Sequence, residues 1–187
     1  MKTKIYIVRH SETDYNIDHR HDHEWKAIIT EEWQIRAKKI SELLSSSNIS
    51  VIYSSPLQRC IDTITPLANK LWKQVQVDKR LRETFFRDIQ DRLWNDFSRD
   101  FLDKIHDINE NEVEWCEHMS DVQKRVAECL DSIIEIHKWK NIVICSHASP
   151  ILQLLAHIDS WSPDCSPAKV PNNKWISHED AYILREI

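Results

Sequence analysis

The sequence predicts an α/β fold, a three-layer α/β/α sandwich around an open, mostly parallel sheet. Three observations carry the prediction. Short apolar runs without clean alternation, "IYIV" (5–8), "VIY" (51–53) and "NIVIC" (141–145), read as strands covered on both faces. Stretches with apolar residues three and four apart lie between them, as helices do. Two of the runs end on a polar, histidine-bearing tip, "RHS" at 9–11 and "SHA" at 146–148. Open sheets of this kind present their sites beyond the carboxyl ends of the strands.

Each element follows in order. Residues 4–8 form a first strand. From 30 to 44, Trp33, Ala37, Ile40 and Leu44 mark one helix face; Thr30 can cap it, and Glu31 and Glu32 suit its positive end. Residues 51–53 form a second strand. A helix follows Pro56 and carries Cys60, Ile64, Leu67 and Leu71, with Pro66 expected to kink it or end it early. "VQV" (75–77) is a third strand. Residues 84–119 are highly charged, with scattered aromatics and no strand pattern, and read as a helical or irregular cap or lid. Ser120 and Gln123 give a capping-box signal, and Val122, Val126, Leu130 and Ile133 mark a long helix to about 138. After the 141–145 strand, a short helix follows Pro150 with Ile151, Leu154 and Leu155. Residues 159–175 are rich in proline and read as loop. "AYILREI" (181–187) supplies a strand at or near an edge.

The 187 residues suit a single domain with 84–119 as its cap. A net charge of -5 argues against nucleic acid as the partner, because a phosphate backbone wants a basic surface. A small phosphorylated molecule needs only a local basic pocket and stays allowed. The opening "MKTKIYIV" is too short and soon too polar for a signal peptide, and no run approaches the roughly 18 apolar residues of a membrane span. The expectation is a cytoplasmic protein, monomer or homodimer, with no membrane partner. The cysteines at 60, 116, 129, 145 and 165 lack CxxC spacing and read as reduced, mostly buried thiols.

Glycine is absent, although a usual share of about 7% would give a chain this long roughly a dozen. Positive-φ positions must therefore fall to residues such as Asn, Asp or Ser. Tryptophan, by contrast, occurs eight times. Deliberate exclusion and unusual decoding both produce such a composition.

Arg9-His10 places an imidazole nucleophile beside a guanidinium whose fork suits phosphate oxygens. Taken alone, it also reads as a surface pair flanking a strand. In "YSSPLQRCIDT" (53–63), Arg59 falls in the first turn of a helix, where anions are favoured. His147 in "CSHAS" brings a second imidazole to the same rim, where it can hold charge on a transferring group. Glu83, just past "VQV", can protonate a leaving alcohol, since neighbouring phosphate would raise its pKa. Its other reading is a surface carboxylate paired with Arg80, Arg82 or Arg87. In "HRHDHEW" (19–25), His19, His21 and His23 alternate around Asp22. No second cluster completes a zinc set, so we expect no metal there and read His21 and His23 as candidates for a substrate-facing loop.

These segments resemble the histidine phosphatase superfamily, also called phosphoglycerate mutase-like. "RHSETDYN" (9–16) is similar to its R-H-G-E-T-x-x-N opening, with serine for glycine. "YSSPLQRCIDTI" (53–64), "RLRETFF" (80–86) and "VICSHAS" (143–149) resemble its three other segments, in the family's order. The resemblance implies His10 as nucleophile, Arg9, Arg59 and His147 around the phosphate, and Glu83 as proton donor. It also implies Asn16 near the phosphate, with Thr13 and Ser55 organising the loops. It implies no cofactor. The function implied is a metal-independent phosphomonoesterase acting through phosphohistidine on a small phosphorylated substrate. The alternatives are a mutase-like phosphoryl transferase, or a weakly active or inactive binding or scaffold relative. Ser11, Trp33, Trp139 and Ala148 stand where the family favours glycine, and 86–91 departs from its F-G-x-x-E-G stretch.

Overall fold

The computed structural model describes residues 2–21, 26–85, 89–97, 117–160 and 182–187. The apolar run of β1 (Lys4–Arg9) is buried on both faces, and its side chains divide between two cores. β2 (Ile49–Ser54), β3 (Val75–Val77), β4 (Asn141–Ser146) and β5 (Ile183–Glu186) complete a sheet in the order β3-β2-β4-β1-β5. All neighbours are parallel except β5, which runs antiparallel to β1 at one edge.

Side-chain alternation along the strands makes the layers. Ile5, Ile7, Val51, Tyr53, Ile142 and Ile144 pack on one face against two helices, α4 (Met119–Ile136) and α5 (Ala148–Ser160). Tyr6, Val8, Ile52, Val143 and Cys145 pack on the other against α2 (Glu31–Leu44) and α3 (Gln58–Lys70). A short helix, α1 (Asp14–Ile17), follows the opening motif. The predicted α/β/α sandwich is the observed fold.

Helix limits differ from expectation in four places. α3 does not end at Pro66; it continues to Lys70, because Leu67 and Ala68 beyond the proline are buried in the core. That burial offsets a proline penalty of about 3 kcal/mol. α4 does not use the Ser120 capping box: its N-cap is His118, and fully buried Met119 draws the first turn upstream. α5 starts at Ala148, before Pro150, which occupies a first-turn position that costs no hydrogen bond. It also runs to Ser160, into the segment expected as loop. Among the described residues, no helix is long and apolar enough to cross a membrane. Cys60, Cys129 and Cys145 are free and buried; Cys116 and Cys165 lie outside the described residues.

Positive φ occurs at His19, Asn48, Trp72, Asp91 and Trp139. Asn48 and Asp91 are residue types expected to take it; the tryptophans are not. Trp33 lies inside α2 with no positive φ, and neither Ser11 nor Ala148 needs one. Three departures from the family's glycines are thus conformationally mild.

Candidate active site

β1 and β4 are adjacent and in register, with Arg9 opposite Ser146. The next residue on each strand is therefore a histidine at the same rim. The His10 N–H donates to the Ser146 carbonyl at 3.0 Å, and the two imidazole centroids are 5.1 Å apart. Both rings are essentially buried.

The His10 tautomer follows from its hydrogen bond. Nδ1 lies 2.7 Å from the Ser11 carbonyl oxygen, which only accepts, so Nδ1 carries the proton. In the neutral ring the lone pair is then on Nε2. Ser11 is fixed in turn. Its N–H donates to Thr63 Oγ1 at 2.8 Å, and Arg36 Nη1 reaches its Oγ at 3.4 Å. Thr63 Oγ1 donates to the Arg59 carbonyl at 2.7 Å, which ties this loop to the first turn of α3.

His147 Nε2 lies 2.7 Å from Ser55 Oγ and 3.4 Å from Cys60 Sγ. Burial, then the charges of Arg59, Arg9 and Arg125, hold its pKa well below the ordinary imidazole value. The ring is neutral at pH 7. Burial also pushes the Cys60 thiol up, with Cys145 adding to it, so Cys60 remains a thiol beside the His147 ring, and its S–H donates to the Ser146 carbonyl at 3.5 Å. Ser55 Oγ accepts from the Leu57 N–H at 3.3 Å, and the Ser55 N–H donates to the Cys145 carbonyl at 2.9 Å. β2 thus delivers the residue that holds His147.

Arg59 is 1% exposed at the start of α3. Arg9 ends β1. Two guanidiniums and two imidazoles gathered at one buried rim, with helix starts at Gln58 and Ala148, make a setting for an anion.

Glu83 follows the 3-10 turn Lys79–Leu81. Ser146 Oγ donates to the Leu81 carbonyl at 2.7 Å, which joins the Glu83 loop to the residue before His147. Glu83 Oε1 accepts from the Thr84 N–H at 2.8 Å. Arg80 pairs with Asp78 at 2.7 Å, and Arg82 with Glu117 at 3.1 Å. Those two arginines therefore have other carboxylates as partners, and Arg87 lies outside the described residues.

Thr13 and Asn16 form a reciprocal capping box on α1. The Thr13 N–H donates to Asn16 Oδ1 at 3.2 Å, and the Asn16 N–H to Thr13 Oγ1 at 3.3 Å. Oδ1 of Asn16 thus serves the loop, which assigns any anion contact to its Nδ2 amide. The His21 N–H donates to the Arg92 carbonyl at 2.9 Å, and its ring meets Phe97 edge-on at 5.5 Å. His23 lies outside the described residues, as do 86–88 and 98–116 of the expected cap. Residues 89–97 lie against the loop after α1: Arg20 bridges Leu93, and the Trp94 N–H donates to the His19 carbonyl at 2.8 Å. No group of three or more metal-binding side chains occurs among the described residues.

Sequence reasoning missed Ser146, Arg125 and the contact of Cys60 with His147. Their partners are distant in sequence, so no local pattern announces them.

The comparisons with known proteins agree with this geometry. The chain is 25% identical to the putative phosphoserine phosphatase 2 of Hydrogenobacter thermophilus, across 98% of this chain and 88% of the relative. It is 28% identical to phosphoglycerate mutase-like protein 4 of Arabidopsis thaliana, across 81% of this chain and 69% of the relative. Its fold superposes on the solved structure of Bacillus stearothermophilus YhfR with a TM-score of 0.77, at 23% identity, over 86% and 85% of the two chains. The family model described as histidine phosphatase superfamily (branch 1) matches residues 5–175. With that match spanning most of its length, the chain belongs to the histidine phosphatase superfamily.

Proposed function

We propose that the chain is a metal-independent phosphomonoesterase that acts through a phosphohistidine. The observation that carries this is the His10 ring, its Nδ1–H held by the Ser11 carbonyl, beside a neutral His147 and the Arg9 and Arg59 guanidiniums. Nε2 of His10 attacks phosphorus as the bond from phosphorus to the ester oxygen breaks. Glu83 gives its proton to the leaving alkoxide. Arg9, Arg59 and a hydrogen bond from His147 hold the charge on the equatorial oxygens. Asn16 contributes its amide N–H. Water then attacks phospho-His10, Glu83 takes its proton, and the bond from nitrogen to phosphorus breaks to release phosphate.

The substrate is a small phosphate ester. Among the described residues, Thr13 and His21 are our candidates in the loop that meets its alcohol part. The relative named a putative phosphoserine phosphatase makes phosphoserine the first ester to test. The experiment follows phosphate release from para-nitrophenyl phosphate and phosphoserine by the wild type and by His10→Ala. Release that falls on the order of a thousand-fold or more in the variant supports the reading. Equal release by both proteins overturns it, and release only in the presence of an acceptor phosphoester favours a mutase.

A further inference from the structure

Four successive carbonyls, from Arg80 to Glu83, are each held by a side chain from another element. Ser146 takes the Leu81 carbonyl at 2.7 Å. Arg125, on α4, takes the other three. Its Nη1 donates to the carbonyls of Arg80 and Arg82, the latter at 2.8 Å, and its Nη2 reaches the Glu83 carbonyl at 3.4 Å. The Glu117 carboxylate grips the same guanidinium from the other side. Nε meets Oε1 at 2.7 Å and Nη2 meets Oε2 at 3.0 Å, a two-point fork. A guanidinium has five N–H donors, and these five contacts use them all. Glu117 also accepts from the Phe85 N–H at 3.1 Å, and its own N–H donates to the Phe85 carbonyl at 2.8 Å. Both charged side chains are largely buried, at 14% and 12% exposure.

So dense a grip on a segment without regular ladder bonds needs a reason, and the residue at its end is Glu83. We propose that Arg125, locked by Glu117, is a positioning residue for proton transfer: its fork fixes the backbone of Glu83 so that the carboxyl group stands at the leaving oxygen. The inference rests on the reading of Glu83 as proton donor. A lysine at 125 keeps the charge and loses the planar fork, so it separates geometry from electrostatics.

The test uses leaving groups. kcat/KM is measured on phosphoserine and on aryl phosphates of graded leaving-group pKa, for the wild type, Glu83→Gln, Arg125→Lys and Glu117→Gln, with a melting curve for each. An alkoxide needs a proton and nitrophenolate does not. Glu83→Gln should lose about a hundred- to ten-thousand-fold on phosphoserine and far less on para-nitrophenyl phosphate. Arg125→Lys and Glu117→Gln should show the same steepened dependence on leaving group, about ten-fold in size. Arg125→Lys and Glu117→Gln proteins that melt lower but keep the wild-type dependence, or lose equally on all esters, overturn the positioning role. A Glu83→Gln enzyme with unchanged dependence overturns the underlying assignment of Glu83 as well. If Arg125→Lys fails to fold, Glu117→Gln alone decides.

A separate observation carries a second inference. Trp72 is the residue after the α3 C-cap, Leu71, at φ 54°. Its N–H donates to the Asn69 carbonyl and that of Lys73 to the Ala68 carbonyl, the paired bonds of a Schellman ending. Trp139 has φ 65° in the turn closed by the Lys140 N–H and the His137 carbonyl. Both are glycine positions by backbone geometry. The two residues are 96% and 60% exposed, so packing does not repay the strain. The chain has eight tryptophans and no glycine. We infer that the codon for Trp72 and Trp139 is read as glycine in the cell that makes this protein. Peptide mass spectrometry of the protein purified from that cell should find glycine at both positions. Tryptophan at either overturns the inference.

Discussion

The rim where β1 and β4 end and the loop after α1 are built differently. At the rim, His10, Ser11, Ser55 and His147 are buried, and each is tied to main chain or to a buried side chain. Around the outer loop, contacts are exposed and charged. Asp91 accepts from the Tyr15 hydroxyl at 2.6 Å and from Lys26 at 2.9 Å, and the backbone is left-handed at both His19 and Asp91. The contrast separates two tasks. The sheet register fixes the residues at the rim, whereas the outer loop is held by exposed side chains, and under the proposed function it is there that the substrate would be selected.

The largest break in that comparison comes at the rim. Arg59→Leu keeps the buried bulk and removes the charge; kcat/KM should fall on the order of a thousand-fold, as steady-state assays would show. Unchanged activity would remove Arg59 from the site.

Buried His147 sharpens the comparison through pH. Its folded pKa is depressed, so the unfolded chain binds one more proton between the folded value and about 6.5. No stability is lost above that pH, and stability falls as pH drops below it, by about 1.4 kcal/mol per unit. His137 is also lowered, by burial and by Lys140, and adds in the same direction. Melting curves from pH 8 to 5 should therefore slope less in His147→Asn than in the wild type. Equal slopes would contradict a neutral, buried His147.

At the outer loop, Asp91→Asn should change KM a few-fold and leave kcat nearly intact, because an exposed charge pair is worth about 0.2–1 kcal/mol. The hydrogen bond to Asp91 pushes the Tyr15 pKa up to about 12, so a spectroscopic titration should show it fall in the variant. Smallest is the effect of Trp72→Gly in protein produced with tryptophan at that position, which should raise Tm by about 2–4 °C through relief of left-handed strain. A lower Tm would mean that the indole makes up for its backbone.

The legible parts of the sequence were those set by burial and register. β1, β2 and β4 could be read because both faces of their central apolar runs, 5–8, 51–53 and 142–145, are covered and polar residues are excluded from those runs. His10 and His147 could be read because each follows such a strand. The limits of α3, α4 and α5 could not, because packing beyond Pro66 and at Met119 overrode local proline and capping signals. For Asn16 the family resemblance implies a place near the phosphate; that its side-chain oxygen serves the α1 cap shows only in the fold. Arg125 was illegible because its partners are carbonyls on another element, which carry no side-chain signature.

The most direct measurement traps the intermediate. Enzyme turning over para-nitrophenyl phosphate is quenched in base, where phosphohistidine survives, and digested for peptide mass spectrometry. The account predicts a phosphoryl group on the peptide bearing His10, absent from His10→Ala. Phosphate release with no phosphoryl group on His10, or with the group on His147, would contradict it.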